Sequence, residues 1–206
     1  MKKEFQFSII TILLFTSIIY AQDYTDYLVD ENNNKIFCKI TQIKNGKVKY
    51  RLQGKSYSTI KTITKFSDVK FNNPDVIKNP LGLKIEKPES GYSHVYFYFS
   101  EIIYKVRYNG KKLTSIGVGN YYLHKIKAGE THIYSSYGNN LEIVAENQKT
   151  YLIRGSETGK IDEQIFSIDS KGETKFERGL RISPKLVLDN RKISEYALLS
   201  MKKKAE

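Results

Sequence analysis

The sequence predicts a mainly β protein: a small β-barrel, then an antiparallel β-sandwich, then a short C-terminal helix. Three observations carry this. Apolar and polar residues alternate with the two-residue period of half-buried strands, as in Val48, Tyr50 and Leu52 against Lys47, Lys49 and Arg51. Two Asn-Gly dipeptides, Asn45-Gly46 and Asn109-Gly110, separate such runs and suit a tight hairpin in which both central residues take positive φ. From residue 91 onward, turn residues recur at spacings of about 8 to 12, the rhythm of a sandwich.

The N-terminus reads as an export signal. Lys2 and Lys3 precede the apolar run "FSIITILLFTSIIYA", which ends at Ala21 before the polar "QDYTDY", with Ile19 two residues ahead of the small residue. The run is shorter than the roughly 20 residues that cross a bilayer. No Cys follows it to carry a lipid. The expectation is a signal peptide over 1–21 and a mature chain from Gln22 with no transmembrane segment. Such a chain is exported to the periplasm, the outer-membrane surface or the extracellular space.

Residues 22–72 predict the small module. "KIFCKITQIKNGKVKYRLQG" is a hairpin about Asn45-Gly46, and "SYSTIKTITKF" and "SDVKF" add short strands, giving a strongly bent, SH3-like barrel. Ile36, Cys38 and Ile40 share one face. Cys38 is the single cysteine, so no internal disulfide forms and core packing must hold the exported chain together. This stretch resembles the short β-modules that follow the signal peptide in secreted proteins of the Bacteroidetes type.

Three of the four prolines fall in 73–90 without clean periodicity, which predicts a linker. The second domain, 91–188, opens on "HVYFYF". Val95, Phe97 and Phe99 alternate with Tyr96 and Tyr98, so this strand is apolar on both faces and belongs at the centre of a covered sheet. "VRYNGKKL", "YYLHKI", "THIYSS", "LEIVAE" and "TYLIRG" follow as strands, and "IFSIDS", "TKFERGLRI" and "PKLVLD" as edge strands. In 189–206, Ile193, Ala197, Leu198 and Met201 recur on one helical face. Ser194 is the expected N-cap, and Lys202 to Lys204 the favourable charge at the C-terminal end of the dipole.

"VYFYF", "VRYNGKKLTSIGVGNYYLHKIKAGETHIYS" and "LEIVAENQKTYLIRG" together resemble an uncharacterised domain family of bacterial secreted and envelope proteins, close to the PEGA-type surface domains, over about residues 91–155. The chain departs from that pattern at two turns, Asn147-Gln148 and Lys127-Ala128-Gly129. The resemblance implies an immunoglobulin-like or transthyretin-like sandwich and assigns no catalytic residue.

The formal net charge is +12, but only six of the 34 basic residues are Arg. Base readout leans on Arg forks, so sequence-specific nucleic-acid binding is not expected. From Lys35 to Lys70 there are ten Lys or Arg against one acid, Asp68. Lys39, Lys47, Lys49 and Arg51 are therefore the candidate anion-binding residues, their partner a glycan, a lipid headgroup such as a lipopolysaccharide phosphate, or DNA.

Other chemistry finds little footing. "GSETGKI" lacks the spacing and the Ser or Thr of a phosphate loop. His94, His124 and His132 lie on separate strands with no metal-ligand spacing, and no nucleophile-elbow motif is present. Asp23, Asp26, Asp30 and Glu31 lack the alternating loop of an EF-hand and read as a solvated terminus. An aromatic RNA-binding sheet would need glycines and flanking helices that "VYFYF" does not have. The expectation is a non-enzymatic envelope or surface protein without cofactor or metal. The alternatives are an anionic-polymer binder acting through the basic face, and a hydrolase with a site at the domain junction.

Overall fold

The computed structural model describes residues 24–79, 82–99, 103–168 and 174–203, with the backbone alone at 99, 156–168 and 174–184. The predicted signal segment lies outside these residues. The chain divides into two units, one comprising the described residues up to Lys84 with Arg191–Lys202, the other Ile85–Asn190 with Lys203. The change of unit falls within the proline-bearing stretch, and the C-terminal helix belongs to the first unit.

In the first unit, β1 (Asp26–Val29), β2 (Lys35–Lys44), β3 (Lys47–Leu52), β4 (Thr59–Thr62) and β5 (Asp68–Lys70) form one antiparallel sheet in the order β4-β3-β2-β1-β5. Four strands run as a meander, and β5 folds back onto β1. Asn45 and Gly46 take φ of 52° and 71°, the left-handed pair that a two-residue hairpin demands. The alternation of β2 then slips once. Ile40 opposes Tyr50 and Ile43 opposes Val48, so the ladder shifts at Thr41, which is left over as a β-bulge. Thr41 Oγ1 donates to the Lys49 carbonyl at 3.1 Å.

The inner face buries Leu28, Cys38, Ile40, Ile43, Val48, Tyr50 and Val69. Helix α1 (Lys192–Leu199) adds Ile193, Ala197 and Leu198, followed by Met201, so the apolar stripe expected from the sequence is a core face. Two details differ from expectation. The helix starts at Lys192 with Arg191 in the N-cap position, and Ser194 is a buried residue inside it. Arg191 is held extended there because its Nη1 donates to the carbonyls of Thr64 and Phe66, at 3.3 and 3.0 Å. At the other end, Lys202 and Lys203 lie in extended backbone beyond Met201, past the reach of the helix dipole. Lys204 is outside the described residues.

Of the acidic N-terminal residues, Asp26 and Asp30 are structural, Glu31 is exposed, and Asp23 lies outside the described residues. Asp26 Oδ2 accepts from the Ile40 N–H at 2.9 Å and Oδ1 from Asn72 N–H at 3.1 Å, tying β1 to its neighbours. Asp30 accepts from Asn32 N–H, Asn34 N–H and the Asn34 amide, shaping the β1–β2 loop. The bonds from Asn34 hold its carboxyl below the ordinary value.

The second unit has two facing sheets. β6 (Tyr92–Phe99), β9 (Asn120–Lys127), β12 (Thr150–Ile168) and β13 (Thr174–Leu188) lie in the order β13-β12-β6-β9. β7 (Tyr104–Tyr108), β8 (Lys111–Ile116), β10 (Thr131–Ser136) and β11 (Asn139–Val144) lie in the order β11-β10-β7-β8. Val95, Phe97, Tyr151 and Ile153 of one sheet pack with Tyr104, Val106, Tyr134 and Ile143 of the other in a single core. This is the β-sandwich that the sequence predicts. β6 is central, and His94, Tyr96 and Tyr98 on its second face are buried as well.

Two features depart from the antiparallel sandwich of short strands. The β6–β12 ladder is parallel, because the chain crosses through the other sheet before returning beside its first strand. The edge strands expected after residue 155 are instead continuous parts of β12 and β13, a long hairpin whose register slips between Glu157 and Lys160. That bulge breaks the period-two pattern and makes one strand look like two. "GSETGKI" accordingly lies within extended backbone rather than in a loop leading to a helix. No helix among the described residues is long and apolar enough to cross a membrane.

Candidate functional site

The basic face is assembled by register. On β2 and β3, Lys39 stands directly opposite Arg51, Lys44 opposite Lys47, and Lys49 opposite Gln42. Residues directly opposite share a face with Cβ atoms about 5 Å apart. All four predicted residues, Lys39, Lys47, Lys49 and Arg51, are exposed on the outer side of the sheet whose inner side is the core. The bulge at Thr41 moves Lys44 onto this side too.

Sequence reasoning missed the aromatic part of the same face. Tyr27 and Phe37 oppose each other across β1 and β2, their rings in an edge contact with centroids 6.3 Å apart. Phe37 is 59 % exposed, and Ile60, opposite Lys49 on β4, is 60 % exposed. Lys35 Nζ sits 4.9 Å from the Tyr27 ring centroid, a cation–π contact. Lys70 stands opposite Tyr27 on the other side. Lys35, Phe37 and Lys39 follow one another at i, i+2 and i+4 on one strand, a pattern visible in "KIFCK" once β2 is known to begin at Lys35. A carboxylate on this face, Asp68, turns to its own backbone, where Oδ1 accepts from Val69 N–H at 2.8 Å.

In the second unit, folding brings together two histidines that the sequence left on separate strands. His132 Nε2 donates to the Lys127 carbonyl at 2.9 Å, and its Nδ1 is 2.8 Å from the Tyr108 hydroxyl. The Tyr108 ring lies 4.8 Å from that of His124, whose Nδ1 is 2.9 Å from the Tyr134 hydroxyl. Burial pushes the His124 imidazole down, with His132 adding to it, and burial holds the Tyr134 phenol well above its ordinary value. These are four aromatic groups in a satisfied network between the two sheets. Beside it, Tyr108, Asn109, Lys111, Lys112 and Leu113 line a surface cavity of about 450 Å³. His94 lies apart, on the second face of β6 against Tyr96.

A third polar cluster closes the sandwich. Asp189 is buried, its Oδ2 2.8 Å from Arg154 Nε and 3.1 Å from the donating Tyr98 hydroxyl. Cys38 is fully buried and its thiol is pushed up to about 12 by burial, which suits a small core hydrophobe. Among the described residues no three His, Cys, Asp or Glu side chains are grouped to hold a metal ion. Compared with known proteins, the chain matches no family model, no curated protein and no solved structure.

Proposed function

We propose that this is an exported, non-enzymatic protein of the cell envelope or surface that binds an anionic polymer through the outer face of its first unit. The observation that supports the reading best is the placing of Lys44 directly opposite Lys47 across one hairpin, with Lys49 and Arg51 following on the same face. Like charges placed directly opposite destabilise a sheet. A polyanion relieves that repulsion, so binding and the cost of the arrangement have the same origin. Lys supplies compact, mobile charge that suits a polymer of repeated anionic groups more than a single shaped ligand.

Export rests on the basic and apolar N-terminal segment. The likeness of residues 91–155 to PEGA-type envelope domains agrees with a sandwich that serves as a structural partner to the binding unit. A non-enzymatic role is supported by the way the imidazoles of His124 and His132 are engaged by tyrosine hydroxyls and a main-chain carbonyl.

Retention on a heparin column and on anionic vesicles tests the binding. The wild type is expected to be retained at low salt. A Lys47→Glu, Lys49→Glu, Arg51→Glu variant is expected to elute early, with the difference shrinking as salt rises. Equal retention of both proteins removes the face from any binding role. Fractionation of host cells with and without residues 1–21 tests export, which cytosolic retention of the intact protein would defeat.

A further inference from the structure

The outer face of the first unit is not uniformly charged. Phe37 projects from it, 59 % exposed, between Lys35 and Lys39 on the same strand, with Arg51 opposite Lys39 and Tyr27 opposite Phe37. At about 3.3 Å per strand residue, each Lys backbone lies about 7 Å from that of Phe37. Beyond its edge contact with Tyr27, much of the Phe37 ring is open to solvent. It offers an apolar platform flanked on both sides by cations.

We infer that this platform binds an acidic polysaccharide, the Phe37 ring stacking on the apolar C–H face of one sugar while Lys35, Lys39 and Arg51 meet the carboxylates or sulfates carried by that sugar and its neighbours. The inference rests on the polyanion reading above and gives it a ligand class. Acidic glycans alternate apolar ring faces with charge along one chain, and the order Lys35, Phe37, Lys39 repeats that alternation along β2.

Single-stranded nucleic acid is the rival occupant, since it also combines stacking with charge. Its binding platforms stack successive bases on successive rings. Here Lys35 Nζ already covers Tyr27 at 4.9 Å, so Phe37 presents the open ring of the pair. Phosphate recognition also favours bidentate Arg, whereas the cations of this face are mostly Lys, namely Lys35, Lys39, Lys44, Lys47, Lys49 and Lys70 beside Arg51. A phosphate-only polyanion has charge to offer and no ring face.

The test compares the purified full chain with its Phe37→Ser variant, which keeps every charge, against alginate, heparin, inorganic polyphosphate and oligothymidylate at moderate salt. Thermal unfolding of both proteins checks that the surface change leaves the fold intact. The expected result is a loss of about tenfold in alginate and heparin affinity, the size that removal of one stacked ring produces, with polyphosphate affinity unchanged. Glycan affinity equal in the two proteins overturns the inference and leaves a purely electrostatic face. Oligothymidylate bound more tightly than alginate, and weakened by Phe37→Ser, overturns it in favour of nucleic acid. A wild type that binds none of the four overturns the polyanion reading itself.

Discussion

Ser200 Oγ accepts a hydrogen bond from the Gly46 N–H at 3.0 Å, across 154 residues of chain, in a buried position. The Ser200 carbonyl accepts from Asn45 N–H at 2.8 Å, and its hydroxyl donates to the Ala197 carbonyl at 2.8 Å. The end of the helix thus satisfies the donors of the first hairpin turn. The first unit is completed by residues that follow Ile85–Asn190 of the second.

Ser200→Ala leaves the Gly46 N–H buried without its partner, and the expected cost is about 1 to 3 kcal/mol. Ending the chain at Asn190 should do far more, since it removes the buried Ile193, Ala197, Leu198 and Met201 from a helix that packs on β2, β5 and the turn at Ile63–Lys65. Urea unfolding followed by circular dichroism reads both. The truncated chain is expected to lose the first unit's cooperative transition, and a transition equal to wild type would show that the helix is dispensable.

The hairpin of the first unit was legible because Asn45-Gly46 fixes both turn and register, and from there Lys47, Lys49 and Arg51 fall on one side by period two alone. The bulge was legible in principle. Ile36, Cys38 and Ile40 alternate and then Ile43 arrives one residue late, which only an extra residue at Thr41 reconciles with a single buried face. The helix stripe was equally plain, but which unit it covers was not, because period 3.6 marks a face without naming its partner. The meeting of His124 with His132 depends on β9 and β10 lying in different sheets, a fact of tertiary packing that strand patterns do not encode. The same limit hid the parallel β6–β12 ladder, which leaves no trace in either strand's own alternation.

Cys38 should be inert in the folded protein. Its thiol, fully buried and pushed up to about 12, carries almost no thiolate near neutrality, and the thiolate is the nucleophile. Reaction with a disulfide reagent is expected to be negligible in buffer and complete in denaturant. The linkage has a definite sign. The fold holds the proton more tightly than the unfolded chain does, so this contribution is whole below the ordinary thiol value of 9.0 and fades as pH climbs from there towards 12. Replacing Cys38 with Val should remove that alkaline component at little cost in stability.

His124 predicts a loss on the acid side. Burial, with His132 second, lowers its pKa from 6.5, so the folded state favours the neutral ring. Stability from this group is present above 6.5 and is lost as pH falls through the lower folded value. The wild type should therefore show a lower urea midpoint at about pH 5 than at about pH 7.5. His124→Gln keeps an amide beside the Tyr134 hydroxyl without a titrating ring, and should show a smaller decrease between the two. His94, also lowered, first by burial and then by Lys125, accounts for the part that remains. An unchanged decrease in His124→Gln would assign the acid sensitivity elsewhere.

The buried pair of Arg154 and Asp189 gives the most sharply graded prediction. The Asp189 side chain is 3 % exposed and that of Arg154 23 %, so the carboxylate is the more deeply desolvated partner. Removing Asp189 strands a guanidinium that still has some access to water and takes away the acceptor of the Tyr98 hydroxyl, which is fully buried. Removing Arg154 takes the guanidinium away from a carboxylate that has almost none. Breaking a buried pair costs about 3 to 5 kcal/mol when the remaining charge is enclosed. Arg154→Met is therefore expected to fall in that range and Asp189→Ala below it, while Tyr98→Phe, which deletes one hydrogen bond and leaves both charges paired, should cost about 1 kcal/mol. Chemical denaturation of the three variants and of the Arg154→Met, Asp189→Ala double variant checks the order. The double variant should be less damaged than the sum of the singles, because both single changes remove the same contact. Additive losses would mean that the two groups act through separate partners and that the 2.8 Å contact contributes nothing as a pair.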